Sequence, residues 1–245
     1  MADRIERVIS KAGNFFGVAC DTTALVTEAC KRHDVGPTAA VALGRALTGA
    51  ALMAALLKDQ QSVLLKFEGN GPLRKILTEA GYDGWVRGYV AEPHADVPLK
   101  NGYIDVAGGI GKAGFLTVTK KIGNNKVYPG SIQLYTSEIG EDLAYYLSQS
   151  EQTPSVIALS IQLESNGSIG AAGGFLIQSL PPADEPLLSQ LEQRIATMPA
   201  LSQLLVDGKS PADILSMLFK EIPNKRIGSK ELSYCLLYTS PSPRD

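Results

Sequence analysis

Residues 39–57 read AAVALGRALTGAALMAALL, a run in which alanine outnumbers leucine and Arg45 is the only charged side chain. A helix of this composition has no polar face to offer solvent, so the rest of the chain must cover it. Its length approaches a membrane span. Arg45, Thr48, Gly44 and Gly49 interrupt the apolar run, however, and alanine contributes little transfer energy. Pro37 just upstream suits the first turn of a soluble helix. The stretch therefore predicts a buried core helix over 37–58.

A chain of 245 residues can bury about 70–75% of its unfolded surface, so it needs neither disulfides nor metal to hold a core. The net charge is −2 and no Lys/Arg cluster stands out, which leaves no electrostatic footprint for nucleic acid. The N-terminal MADRIERVIS is charged where a secretion signal needs an apolar run, so the expected location is cytoplasmic, with no membrane partner. Cys20 and Cys30 lack C-x-x-C spacing and read as small buried residues.

Around the core helix, strands are predicted at 15–20, 62–67, 84–91, 103–106 and 114–120, each bounded by Gly, Pro or Asn. Thr22 or Thr23 offers an N-cap to a helix ending near Arg32. Leu143, Tyr146 and Leu147 recur at helical spacing behind an acidic first turn, predicting an amphipathic helix over 139–150. Asn166-Gly167 separates two strand-like runs, 155–164 and 168–180, and suits a type I′ hairpin turn. PPADEP, residues 181–186, then breaks the pattern. Three amphipathic segments follow at 187–197, 200–206 and 211–220. Each is too short to be stable alone, so each must dock on the main domain.

Candidate chemistry is sparse. Gly109-x-Gly111-x-x-Gly114 spells a dinucleotide fingerprint, but the β-branched FLTVTK follows it where a phosphate site needs a helix N-terminus. A turn between two strands is the better reading. Gly111-Lys112-Ala113 lacks the Ser or Thr of a nucleotide-binding loop. His33 reads as a helix C-terminal residue and His94 as a loop residue, neither at metal spacing. Glu138, Glu141 and Asp142 read as helix N-terminal charges rather than an acid/base pair. The GNGP of residues 69–72 implies a tight turn, and Gly173-Gly174 implies close approach of a neighbouring element.

The last eleven residues, CLLYTSPSPRD (235–245), differ in composition from what precedes them. One codon choice reproduces a transposase-end sequencing adapter in frame, so the segment is expected to be an assembly scar; a native disordered C-terminus is the alternative.

Six segments in order resemble the redox-regulated 33 kDa chaperonin family. They are PTAAVALGRALTGAALMAALLK (37–58), FEGNGPL (67–73), GWVRGYV (84–90), DVAGGIGKAGFLTVTK (105–120), EDLAYYLSQSEQTPS (141–155) and AAGGFLIQSLP (171–181). The resemblance implies an α+β fold: a chaperone core over 1–180 with a large mixed sheet packed by helices, then a helical linker over 181–234. It implies an ATP-independent holdase for proteins unfolding under heat or oxidative stress, not an enzyme, and one that dimerises. It also implies a C-terminal zinc domain in the full-length family, with four thiolates from C-x-C and C-x-x-C. Neither pair is present here. The first ligand should fall at position 236, which is Leu, and Cys235 is one residue early, so no metal or other cofactor is expected in this chain. The candidate client-binding surface is the apolar side of the linker: Leu187, Leu188, Leu191, Ile195, Leu201, Leu204, Leu205, Ile214, Leu215, Leu218 and Phe219. Burial of these side chains as ordinary core is the equally weighted alternative. The rival function is a small-ligand or nucleotide-binding enzyme using the Gly109–Gly114 loop.

Overall fold

The computed structural model describes residues 2–123, 126–181 and 185–235. Its centre is helix α2 (Pro37–Ala54), with Pro37 in its first turn and sixteen of its residues buried. Small side chains let β-sheets approach it from two sides. A six-stranded sheet B runs in the order β11-β5-β4-β3-β6-β7 and packs on α2 through β3 (Gln61–Gly69), β4 (Lys75–Gly81) and β5 (Trp85–Val90). A five-stranded sheet A, ordered β10-β1-β2-β9-β8, packs on it through β2 (Phe15–Asp21), β8 (Ser155–Leu163) and β9 (Ile169–Ser179). Helices α1 (Thr23–His33) and α4 (Ile139–Ser150) also contact α2 between the sheets. The expected single large sheet is thus two sheets, antiparallel except where β11 pairs in parallel with β5. The α+β class holds, and the stretch long and apolar enough to cross a membrane is 89% buried between the sheets.

The core helix ends four residues before the predicted Lys58. Leu56 and Leu57 donate to Met53 and Ala54, three residues back, so the last turn tightens out of α geometry. Thr22 occupies the N-cap of α1 without capping it through its side chain; its hydroxyl instead bonds that of Thr48 on α2 at 2.8 Å. The first-turn amides of α1 are satisfied instead by Asp3, which accepts from Ala24 and Leu25. Burial pushes the Asp3 carboxyl up, against the pull of those two bonds.

The strand predicted at 103–106 does not form. Tyr103 makes an isolated bridge with Lys100, and Asp105 caps the short helix α3 (Val106–Ile110) by accepting from Gly108. The Asn166-Gly167 hairpin joins β8 to β9, but not by a type I′ turn. Gly167 donates to Glu164, Glu164 donates to Ser168, and of the two predicted turn residues only Gly167 has positive φ, at 82°. This is a three-residue hairpin loop with glycine in the left-handed position.

Four strands carry no clear apolar alternation: β1 (Arg4–Ser10), β4, β7 (Lys126–Gln133) and β10 (Asn224–Glu231). Strand β6 (Gly114–Ile122) joins β3 to β7. After the linker helices the chain returns as β10, antiparallel to β1, then as β11 (Ser233–Tyr234). The segment 224–234, expected to be helical, is therefore strand, because the edge of β1 supplies a ladder that its polar sequence alone does not predict. Of the predicted scar, residues 236–245 lie outside the described residues, as do 182–184 of the PPADEP boundary.

Candidate functional site: a sheet face covered by three short helices

Strands β2 and β9 are apolar on both faces. Val18, Cys20, Ala172 and Leu176 point into the α2 core, whereas Phe15, Ala19, Ala171, Phe175 and Ile177 build a second hydrophobic core on the opposite face of sheet A. That second face is covered by α5 (Glu185–Thr197), α6 (Leu201–Val206) and α7 (Pro211–Leu218).

Every candidate client-binding residue lies at this seam. Leu191, Leu204, Leu205, Ile214, Leu215, Leu218 and Phe219 are buried, and Leu187, Leu188, Ile195 and Leu201 are half-buried against the same core. Gly173-Gly174 permits the close approach the sequence implied. A side chain at Gly173 would meet Leu205 of α6, and one at Gly174 would meet Thr48 of α2 on the other face. Two helices thus reach one strand from opposite sides.

Polar bonds order the cover itself. Ser210 and Asp213 form a reciprocal capping box at the start of α7, and the bonds from Ser210 hold the Asp213 carboxyl below its usual range. Arg194 of α5 donates to the carbonyl of Leu218 at 2.9 Å and so ties α5 to the end of α7. Beside α5, Phe15, Val156, Ile177, Leu188, Leu191 and Ile195 line an apolar cleft of about 160 Å³ that opens to solvent.

The other candidate chemistry disperses. In the glycine loop, the N–H groups of Gly109 and Gly111 bond the carbonyls of Asp105 and Ala107, and that of Ala113 bonds Asn70 Oδ1. The loop sits between α3 and β6 rather than between two strands, and these amides do not converge on a ligand. The GNGP segment is held to it by bonds from Gly71 and Leu73 to Ile110 and Gly109. Asp142 is fully buried and accepts from Tyr135 and Thr136, while Glu138 pairs with Arg45 at 2.6 Å. His33 Nε2 is 2.8 Å from the Tyr234 hydroxyl. Cys20 is buried in β2, Cys30 is on α1 and Cys235 follows β11. Burial raises both internal thiols, Cys30 to about 11, away from reactive thiolate. Among the described residues no three His, Cys, Asp or Glu side chains are grouped to hold a metal, so the donors present do not fit a thiolate zinc site.

The family profile described as Hsp33 protein matches residues 3–235. The chain belongs to the Hsp33 family. It is 62% identical to a 33 kDa chaperonin of Desulfotalea psychrophila over 96% of this chain and 80% of that protein. It is 51% identical to that of Geobacter sulfurreducens, covering 91% and 74%. The crystal structure of an Hsp33 homologue from Thermotoga maritima superposes with a TM-score of 0.90 at 33% identity, covering 97% of this chain and 81% of that one. The Hsp33 fold therefore includes β10 and β11 as well as the helices. Sequence reasoning missed β10 because NKRIGSKE carries one large apolar residue, and the only available signal was its position after three docked helices.

Proposed function

We propose that this chain is an ATP-independent holdase that binds unfolding proteins in the cytoplasm under heat or oxidative stress and transforms none of them. The observation that supports it most is the split core. The apolar outer face of sheet A forms a second core only together with short helices α5–α7, which cover it. Releasing α5–α7 would expose that face together with the apolar sides of the helices, a contiguous patch of the kind that marks protein-binding surfaces. Release of α5–α7 is read here as a local opening equilibrium of the cover. Dimerisation is part of the same reading. Strand β8 ends sheet A with nine residues, SVIALSIQL, that carry no charge or proline, an edge suited to pairing with another strand.

The test is suppression of aggregation of a heat-unfolding reporter protein, followed by light scattering, with and without peroxide. The expected result is suppression under both conditions, increased by Ile214→Asp, which opens the cover. Failure of both proteins to suppress aggregation would overturn the holdase reading.

A further inference from the structure

The outer face of sheet B is bare. Register aligns Glu68, Lys66 and Leu64 of β3 with Lys75, Leu77 and Glu79 of β4 on one side and with Phe115, Thr117 and Thr119 of β6 on the other. Leu64, Leu77, Trp85, Tyr89 and Phe115 belong to neither hydrophobic core, and Phe115 is 52% exposed. The aromatic groups are fixed. Trp85, the chain's one tryptophan, lies across Gly81 with the Arg87 guanidinium 5.2 Å from its ring centre. Lys75 stands 5.9 Å from the ring centre of Tyr89. Glu79 is held by Arg87 at 2.5 Å and Lys121 at 3.0 Å, and Glu68 by Lys66 at 2.6 Å. Lys66, Lys75, Arg87 and Lys121 outnumber the two carboxylates at the strand positions, with Asp83 at the rim. This positive excess sits on a chain whose net charge is −2.

We propose that this bare face docks extended acidic polypeptide segments that also carry apolar side chains, and does so while α5–α7 remain closed. The proposal rests on the holdase reading for its claim that such segments belong to unfolding clients. Charge complementarity selects the occupant. A second copy presenting the same face would bring a positive excess against itself. Nucleic acid is a poorer match because base stacking needs free ring faces, whereas Trp85 has the sheet beneath and a cation above.

Trp85 reports occupancy directly. The whole chain is titrated, by Trp85 emission, with a synthetic Glu/Leu/Ser/Gly peptide, with the same peptide carrying Lys for Glu, and with oligo-dT. The acidic peptide should bind about tenfold tighter than the lysine peptide, an advantage that salt erodes. Lys66→Glu with Lys75→Glu should weaken it about tenfold. Phe115→Ser, which leaves every charge in place, should weaken it about threefold. Ile214→Asp should leave the Trp85-reported affinity within about twofold, since the two faces are separate sites. Equal binding of the two peptides, indifference to the face variants, preference for oligo-dT, or binding seen only in Ile214→Asp would each overturn the proposal. Acidic-peptide binding here by a chain that fails to suppress aggregation would keep the surface and remove the holdase reading.

Discussion

Sheets A and B both press one face on α2, yet their second faces have opposite fates. On sheet A the second face is apolar and covered, with Phe15, Phe175 and Ile177 packed beneath Ile214, Leu218 and Phe219. On sheet B it is mixed and open, with lysines, Arg87 and Glu79 set among aromatic side chains. The difference is written in the strands. The AAGGFLI of β9 offers apolar groups to both sides, whereas the VLLKFE of β3 places Lys66 and Glu68 outward. A face without charge must be covered by the chain's own elements or by something else, and on sheet A helices α5–α7 supply that cover.

The largest effect expected from breaking this asymmetry is a charge on the covered side. Ile214 is fully buried, and Ile214→Asp removes its packing and adds a carboxylate with no partner, together costing about 4 kcal/mol or more of docking. Limited proteolysis should then cut within 185–220, and a hydrophobic dye should bind, while the α2 core still melts cooperatively. The matching change on the bare side, Leu64→Thr, should shift stability by no more than about 0.5 kcal/mol.

A steric version should act next. The three atoms nearest a side chain at Gly17 belong to the Phe219 ring and Val8. Gly17→Val should therefore displace Phe219 and loosen the end of α7 by about 1–3 kcal/mol, read as faster hydrogen exchange in α7 with β2 still protected. Equal loss of protection in β2 would show that the two cannot be separated.

The open face has its own signature, in pH. Burial alone would raise the Glu79 carboxyl, but hydrogen bonds from Arg87 and Lys121 hold it below its ordinary value. The folded state thus binds this proton less readily than the unfolded chain. The stability contributed is complete above the unfolded value, about 4.3, and is lost as pH falls through the lower folded value. Glu79→Gln should cost about 1–2 kcal/mol at neutral pH and flatten the loss of stability below pH ~4. Urea melts across that range check it.

How far these contrasts were legible depends on what each element contributes. The central helix, β2, β8, β9 and the three linker helices announce themselves because burial on one or two faces fixes their residue pattern. Strands β1, β4, β7 and β10 stayed hidden. Arg226 of β10 pairs with buried Glu6 of β1, and Pro129 sits in β7 at a sheet edge; such strands are held by ladder bonds and cross-strand pairs that sequence periodicity does not encode. The eleven apolar residues of 187–219 singled out from the sequence share one seam in the structure, but the face they cover was not legible, because Phe15, Ala19 and Phe175 read as ordinary strand residues. Nothing in the composition of sheet B pointed to its bare face until register set Arg87 beside Trp85 and Lys75 beside Tyr89.

The smallest predicted effect concerns the cleft beside α5, and it runs in the opposite direction. Val156 on β8 lines that space of about 160 Å³, and Val156→Ile adds one methylene where atoms are lacking. If the cleft is what makes α5 the loose end of the cover, filling it should strengthen docking by up to about 1 kcal/mol. Hydrogen exchange in α5 should slow, with α6 and α7 following only as far as the Arg194 tie to Leu218 couples them. Aggregation suppression should fall in step, because a cover that opens less often presents its face less often. Faster exchange in α5 would instead mean that the added methylene has overpacked the seam, and the looseness of the cover would then have to be sought in the ties between its helices.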